Sequence, residues 1–181
     1  MTESSWSALS IDDVRGLLEP TEVSWWIAGG VAIDLFVGRH TRPHEDIDVQ
    51  ILRGSETAVA RQLAGWELYT AKEGRLTSWS IDDNAHVIWC RPTATAPWAL
   101  ELLVADIVDN RWTYRRDHRV SRSIEELGDR TGEGVPFLRP EIQLLYKSKR
   151  VRTKDEADFR VALPLLGDPA RAWLRDALMI A

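Results

Sequence analysis

Residues 23–48 carry the tightest constraint in this chain. An apolar, β-rich run, Val23-Ser24-Trp25-Trp26-Ile27-Ala28, stops at Gly29-Gly30, and residues with helical content follow from Val31 to Val37. Gly38 then ends the helix as a C′ glycine, Thr41-Arg42-Pro43-His44 forms a loop, and Asp46 to Leu52 reads as a second strand. The first run is continuous enough to be buried on both faces. In the second, alternation places Asp46 and Asp48 on one face, roughly 7 Å apart along the backbone, while Ile47 points into the core. A strand, a glycine turn, a helix and another strand predict an α/β core.

The rest of the chain supports one compact unit. Its 181 residues, 44% of them apolar, suffice to bury a core. Ser10 opens a helix, with Asp13 placed to complete a capping box and Pro20 closing it. Glu56 to Gly65 is helical. Leu76–Ile81, His86–Cys90, Ala99–Ile107 and Arg111–Arg115 are strand candidates separated by turn residues. The last forty residues change character: Pro140 precedes a helix from Glu141 to Lys149, Thr153 and Glu156 suggest a capping box, and Asp168-Pro169 starts a final helix. The expected organisation is a core over residues 1–138 and a C-terminal helical cap over 139–181.

Charge and composition narrow the function. A net charge of −5 argues against a nucleic-acid binder, which needs a basic stripe. No run of about 18 uncharged apolar residues predicts a membrane span, and the polar, acidic N-terminus lacks the pattern of a secretory signal. With Cys90 as the only cysteine there is no intramolecular disulfide, and a cytoplasmic location is expected. The nine tryptophans serve packing for the most part, although Trp79, Trp89 and Trp98 alternate with polar residues and are candidates to line an acceptor pocket.

Two carboxylates on one strand face suit a hard cation, and Mg²⁺ favours a few carboxylates together with substrate phosphates. Gly29-Gly30, at a strand-to-helix junction, allows close backbone approach and offers amide groups to a phosphate. Alone, each feature has a plainer reading: a tight turn, or a solvated strand face. Together they indicate phosphoryl or nucleotidyl transfer. Arg39 and Arg42 are candidates to grip a triphosphate, or are surface charges on a loop. Lys147 has the same two readings on its helix. Asp34 is assigned a structural role, capping or pairing with Arg39. Asp155 fits a helix first turn, while Asp158 has no assigned role.

Gly29-Gly30-x-Ala32-x-Asp34, then Gly38-Arg39-x-Thr41-Arg42-x-His44-Glu45-Asp46-Ile47-Asp48, resembles the small antibiotic nucleotidyltransferases of the DNA polymerase β superfamily. The patterns are similar to those of aminoglycoside 2″-nucleotidyltransferases and lincosamide nucleotidyltransferases. Pro140-Glu141-x-Gln143-Leu144-Leu145 with Lys154-Asp155-x-x-Asp158-Phe159 is similar to their C-terminal helical segment. The resemblance implies a mixed β-sheet flanked by helices with a C-terminal helical segment. It also implies a third carboxylate on a later strand that completes the metal site and can act as general base. Glu101, a lone acid in an apolar strand, is the candidate, with Asp106 as the alternative; the related enzymes carry aspartate there.

The expected function is transfer of a nucleoside monophosphate, AMP from ATP or another nucleoside triphosphate, to a hydroxyl of a small acceptor. Two Mg²⁺ ions would be held by Asp46, Asp48 and Glu101, which are also the catalytic residues. Gly29, Gly30, Arg39, Arg42 and Lys147 would bind the nucleotide. An aminoglycoside or lincosamide is the acceptor the resemblance implies, which would make the protein a resistance enzyme. A homodimer is a candidate assembly, since a domain this small often needs a second wall for its acceptor cleft. The rival class is a nucleotide-binding protein without turnover, such as a toxin–antitoxin partner, or an enzyme that modifies a protein hydroxyl.

Overall fold

The computed structural model describes residues 5–149 and 151–181. Along the chain run α1 (Ile11–Leu18), β1 (Trp25–Ile27), α2 (Gly29–Val37), β2 (Asp48–Leu52), α3 (Glu56–Gln62), β3 (Glu67–Lys72), β4 (Arg75–Ser78), β5 (Val87–Arg91) and β6 (Leu100–Ala105). Then follow β7 (Ile107–Val108), β8 (Arg111–Thr113), β9 (Ser121–Ser123), β10 (Gly128–Arg130), β11 (Pro136–Leu138), α4 (Pro140–Lys147), α5 (Thr153–Ala162) and α6 (Asp168–Ile180). This is the mixed α/β fold with a helical C-terminal segment that the sequence predicts. Among the described residues no helix is long and apolar enough to cross a membrane.

The backbone divides into two units, one of Met1–Trp25 with His44–Ala105 and one of Trp26–Pro43 with Asp106–Ala181. In the first, the strand order is β2-β6-β5-β3-β4, with β2 parallel to β6 and the remaining pairs antiparallel. Alternation sends Val49, Ile51, Leu100, Leu102, Ile88 and Cys90 into the core. α1 starts as its capping box requires: the Ser10 hydroxyl accepts from the Asp13 amide at 3.1 Å, and the Ser10 amide donates to the Asp13 carboxylate at 3.0 Å.

In the second unit β1 runs parallel to β11, which pairs antiparallel with β10, while β7, β8 and β9 form a small antiparallel sheet. The fully buried Trp112 and Tyr114 gather Tyr146 and Trp173 into an aromatic core. Beside it lies a buried ion pair, Arg122 Nη1 to Glu141 Oε1 at 2.7 Å, with the guanidinium 4.3 Å from the centre of the Trp173 ring.

The structure shifts several expected boundaries. α2 starts at Gly29, not Val31, because Ala28 is extended and takes the N-cap position while Gly29 adopts φ +63°. Regular strand geometry begins at Asp48, leaving Asp46 in the loop ahead of it. The N-cap of α5 is Arg152 and its N3 acid is Asp155, in place of Thr153 and Glu156. Strand β3, with its half-exposed Glu67–Lys72 pattern, has too little alternation to be read from sequence.

Candidate active site

Parallel pairing of β2 with β6 sets Asp48 directly opposite Glu101, and antiparallel pairing of β6 with β5 sets Glu101 opposite Trp89. The Glu101 amide donates to the Ile47 carbonyl at 3.0 Å, which fixes this register at the head of β2. Trp89 Nε1 donates to Glu101 Oε2 at 2.5 Å. Burial, and next the negative charge of Asp48, push the Glu101 carboxyl up to about 8; the Trp89 bond opposes them, and Asp46 adds a smaller push. Asp106 lies past the end of β6, so the acid facing Asp48 is Glu101.

Asp46 stands farther out. Among the described residues, the three carboxylates do not all come within 4.8 Å of one another. The tight element is the Asp48–Glu101 pair, and its chemistry suits a divalent cation. It offers hard oxygen donors whose mutual repulsion a cation would relieve, and no soft ligand stands in the row.

Trp89 also belongs to an aromatic cluster. Its ring meets Trp6 edge-on at 5.0 Å and Trp98 at 5.5 Å, and Trp98 meets Tyr69 at 5.5 Å. Arg91 lies over Trp98, 4.5 Å from the ring centre, and pairs with Glu67 at 2.7 Å. Two of the three tryptophans singled out in the sequence, Trp89 and Trp98, thus pack together, and one of them bonds the central acid.

All five nucleotide-binding candidates lie in the second unit. The Gly29 amide, at the first turn of α2, donates to Gln143 Oε1 on α4 at 3.0 Å. One turn further along α4, Lys147 Nζ lies 2.8 Å from Asp158 and 3.3 Å from Asp155. Asp158 also takes a two-pronged grip from Arg42, Nε at 2.9 Å and Nη2 at 3.0 Å. Gly30 is buried in the same first turn, whereas the Arg39 side chain is exposed beyond the end of α2. Burial works against the Asp155 carboxylate, but bonds from Arg152 and the charge of Lys147 outweigh it and hold the group at about 2. Asp34 binds the Thr41 hydroxyl at 2.5 Å, the Thr41 amide at 3.1 Å and His40 at 3.1 Å, and its carbonyl accepts from the Arg39 amide at 3.2 Å.

Sequence reasoning missed two connectors. Gln143 stood in the quoted C-terminal block without a role, and Asp158 had no assigned role. Burial of both is what marks them, at 4% and 0% exposure.

A mixed α/β fold with Asp48 and Glu101 side by side on adjacent parallel strands is compatible with the nucleotidyltransferase class. Solved structures of that class superpose on it. ANT(2″)-Ia in complex with adenylyl-2″-tobramycin matches with a TM-score of 0.63 at 16% identity, over 93% of this chain and 95% of the other. The lincomycin-bound lincosamide antibiotic adenylyltransferase LnuA gives 0.63 at 16% identity, over 88% and 100%. An antigenic nucleotidyltransferase-like protein from Paracoccidioides brasiliensis gives 0.50 at 20% identity, over 93% and 84%. The chain belongs to the aminoglycoside-2″-adenylyltransferase family, whose model matches residues 10–161. No curated protein sequence matches it significantly. The protein is a nucleotidyltransferase enzyme.

Proposed function

We propose that the protein transfers AMP from ATP to a hydroxyl of an aminoglycoside or related antibiotic, with Mg²⁺ as the required cation. The observation that carries this reading is the Asp48–Glu101 register, which sets two acids side by side on neighbouring strands. Family membership supplies the adenylyl group and the aminoglycoside class. Asp48 and Glu101 hold the cation, with Asp46 as the further carboxylate from the loop. When bound, Mg²⁺ offsets negative charge on the phosphates and activates an oxygen nucleophile.

The chain's own groups do the rest. Glu101, with its carboxyl held near neutrality, is suited to accept the proton of the acceptor hydroxyl. Trp89 fixes the orientation of that carboxylate through its indole N–H. Arg42 and Lys147, the cations that meet Asp158 in the second unit, and Gly29 and Gly30 in the tight first turn of α2 remain the candidates to bind nucleotide phosphates. Such a site works mainly by positioning and fixed charge.

The test is pyrophosphate release from ATP in Mg²⁺ with a panel of aminoglycosides and lincosamides, comparing wild type with Asp48→Asn and Asp46→Ala. Acceptor-dependent release that falls at least a hundredfold in both variants is expected. Release that is unaffected by Asp48→Asn, or turnover that persists in EDTA, would refute the metal assignment. Release with no antibiotic of the panel would refute the acceptor class.

A further inference from the structure

Cross-strand register lines up one row of side chains over the first unit: Asp48, Glu101, Trp89, Tyr69 and Ser78, one each from β2, β6, β5, β3 and β4. Alternation turns this row away from Val49, Leu100, Leu102, Ile88 and Cys90, which fill the core. Asp48, Glu101, Trp89 and Tyr69 are half-buried and Ser78 is exposed, so each member keeps access to solvent. The row begins with the two acids and continues in aromatic rings. Neighbouring strands stand about 4.8 Å apart, which puts Tyr69 roughly 10 Å from Glu101 at the backbone.

The charges beside the aromatic part are already paired. Arg91 and Glu67, opposite each other one step along the same face, bond at 2.7 Å, and Leu103 and Val87 stand on the other side of the row. The Tyr69 ring is held from two directions. Trp98 meets it edge-on at 5.5 Å, and the Arg91 guanidinium lies 5.5 Å from its centre. Among the described residues its hydroxyl has no protein partner. A fixed ring with a wet polar tip, reached from the acids with no unpaired charge between, suits the C–H face and hydroxyl rim of a sugar-like ring.

We propose that Tyr69 is a specificity-determining residue for the acceptor: with Trp89 it forms a platform for a ring beyond the one whose hydroxyl meets Glu101. The row is continuous with the acid pair and spans more than a single six-membered ring covers. The acceptor is therefore a hydroxylated compound of at least two linked rings. This rests on the adenylyl-transfer reading above. Tyr69 touches the acceptor alone and takes no part in holding ATP or the cation.

The experiment is steady-state pyrophosphate release with Mg²⁺ and ATP, titrating tobramycin and lincomycin, each of more than one ring, with wild type, Tyr69→Phe, Tyr69→Leu and Tyr69→Ala. Tyr69→Phe keeps the ring. Tyr69→Leu keeps apolar bulk without it, and decides the matter if Tyr69→Ala does not fold. The KM of the acceptor that wild type turns over is expected to rise at least tenfold in the leucine and alanine variants and less than threefold in Tyr69→Phe. The KM of ATP and kcat should stay within threefold throughout, a split that general loss of structure does not produce. An acceptor KM that changes less than threefold in Tyr69→Leu, or a fall in kcat in place of a rise in KM, overturns the role of Tyr69 alone. Wild type that turns over neither compound overturns the acceptor class of the proposed function, and this inference with it.

Discussion

Glu101→Gln separates the electrostatic cost of the acid pair from its use. The folded protein keeps a proton on Glu101 up to about 8, whereas the unfolded chain releases it near 4.5. Folding therefore gains from this group below pH 4.5 and loses that gain as pH rises through 8. At 1.36 kcal/mol per pH unit the full displacement is worth about 5 kcal/mol. Residual solvent around the half-buried carboxylate reduces this to about 2–3 kcal/mol. Glutamine removes the charge, still accepts from Trp89 and can donate to Asp48. In EDTA at pH 9 the variant should melt about 5–10 °C above wild type, and at pH 4 within a degree or two of it. Adding Mg²⁺ at pH 9 should raise the wild-type melting temperature and leave the variant nearly unmoved. A melting difference that is the same at both pH values refutes the argument, as does an equal Mg²⁺ effect on both proteins.

Three further outcomes follow from other contacts. Trp89→Phe removes the bond that lowers the Glu101 pKa, so the acidic limb of the pH–rate profile should move to higher pH; an unmoved limb argues against Glu101 as the base. Arg122→Met strands Glu141, which is 2% exposed, at a cost of about 3–5 kcal/mol by chemical denaturation. Replacing both residues, Arg122→Met with Glu141→Leu, should recover most of that loss. Gly29→Ala forces a side chain into φ +63° and should cost about 1–2 kcal/mol, read as a lower denaturation midpoint with an unchanged slope.

What the sequence disclosed was what lies on one strand or at one helix end. A lone acid in an apolar run singled out Glu101, whereas strand alternation across Asp46 and Asp48 presumed a strand that begins only at Asp48. The Ser10–Asp13 capping box was readable because all of its atoms lie within one turn. Contacts between distant segments were not readable. Gln143 meets Gly29 across 114 residues, and Asp158 meets Arg42 across 116, and nothing in either local pattern encodes the other. The same reasoning explains why the Arg42–Asp158 pair and the bonds of Asp34 to Thr41 and His40 were not foreseen. In both cases the choice among nearby polar groups is made by packing, not by spacing.

The pairing of β2 with β6 has a consequence for how errors are rejected. A slip of one residue in that register would bring Leu100 or Leu102 opposite Asp48 and turn Glu101 toward the apolar side. A misaligned chain would then have to bury a carboxylate among leucines and forgo its indole partner. Chains that fold with the wrong alignment are thus penalised by the same residue that gives the aligned chain its chemistry, so quality control of the sheet and competence of the enzyme are set by one side chain.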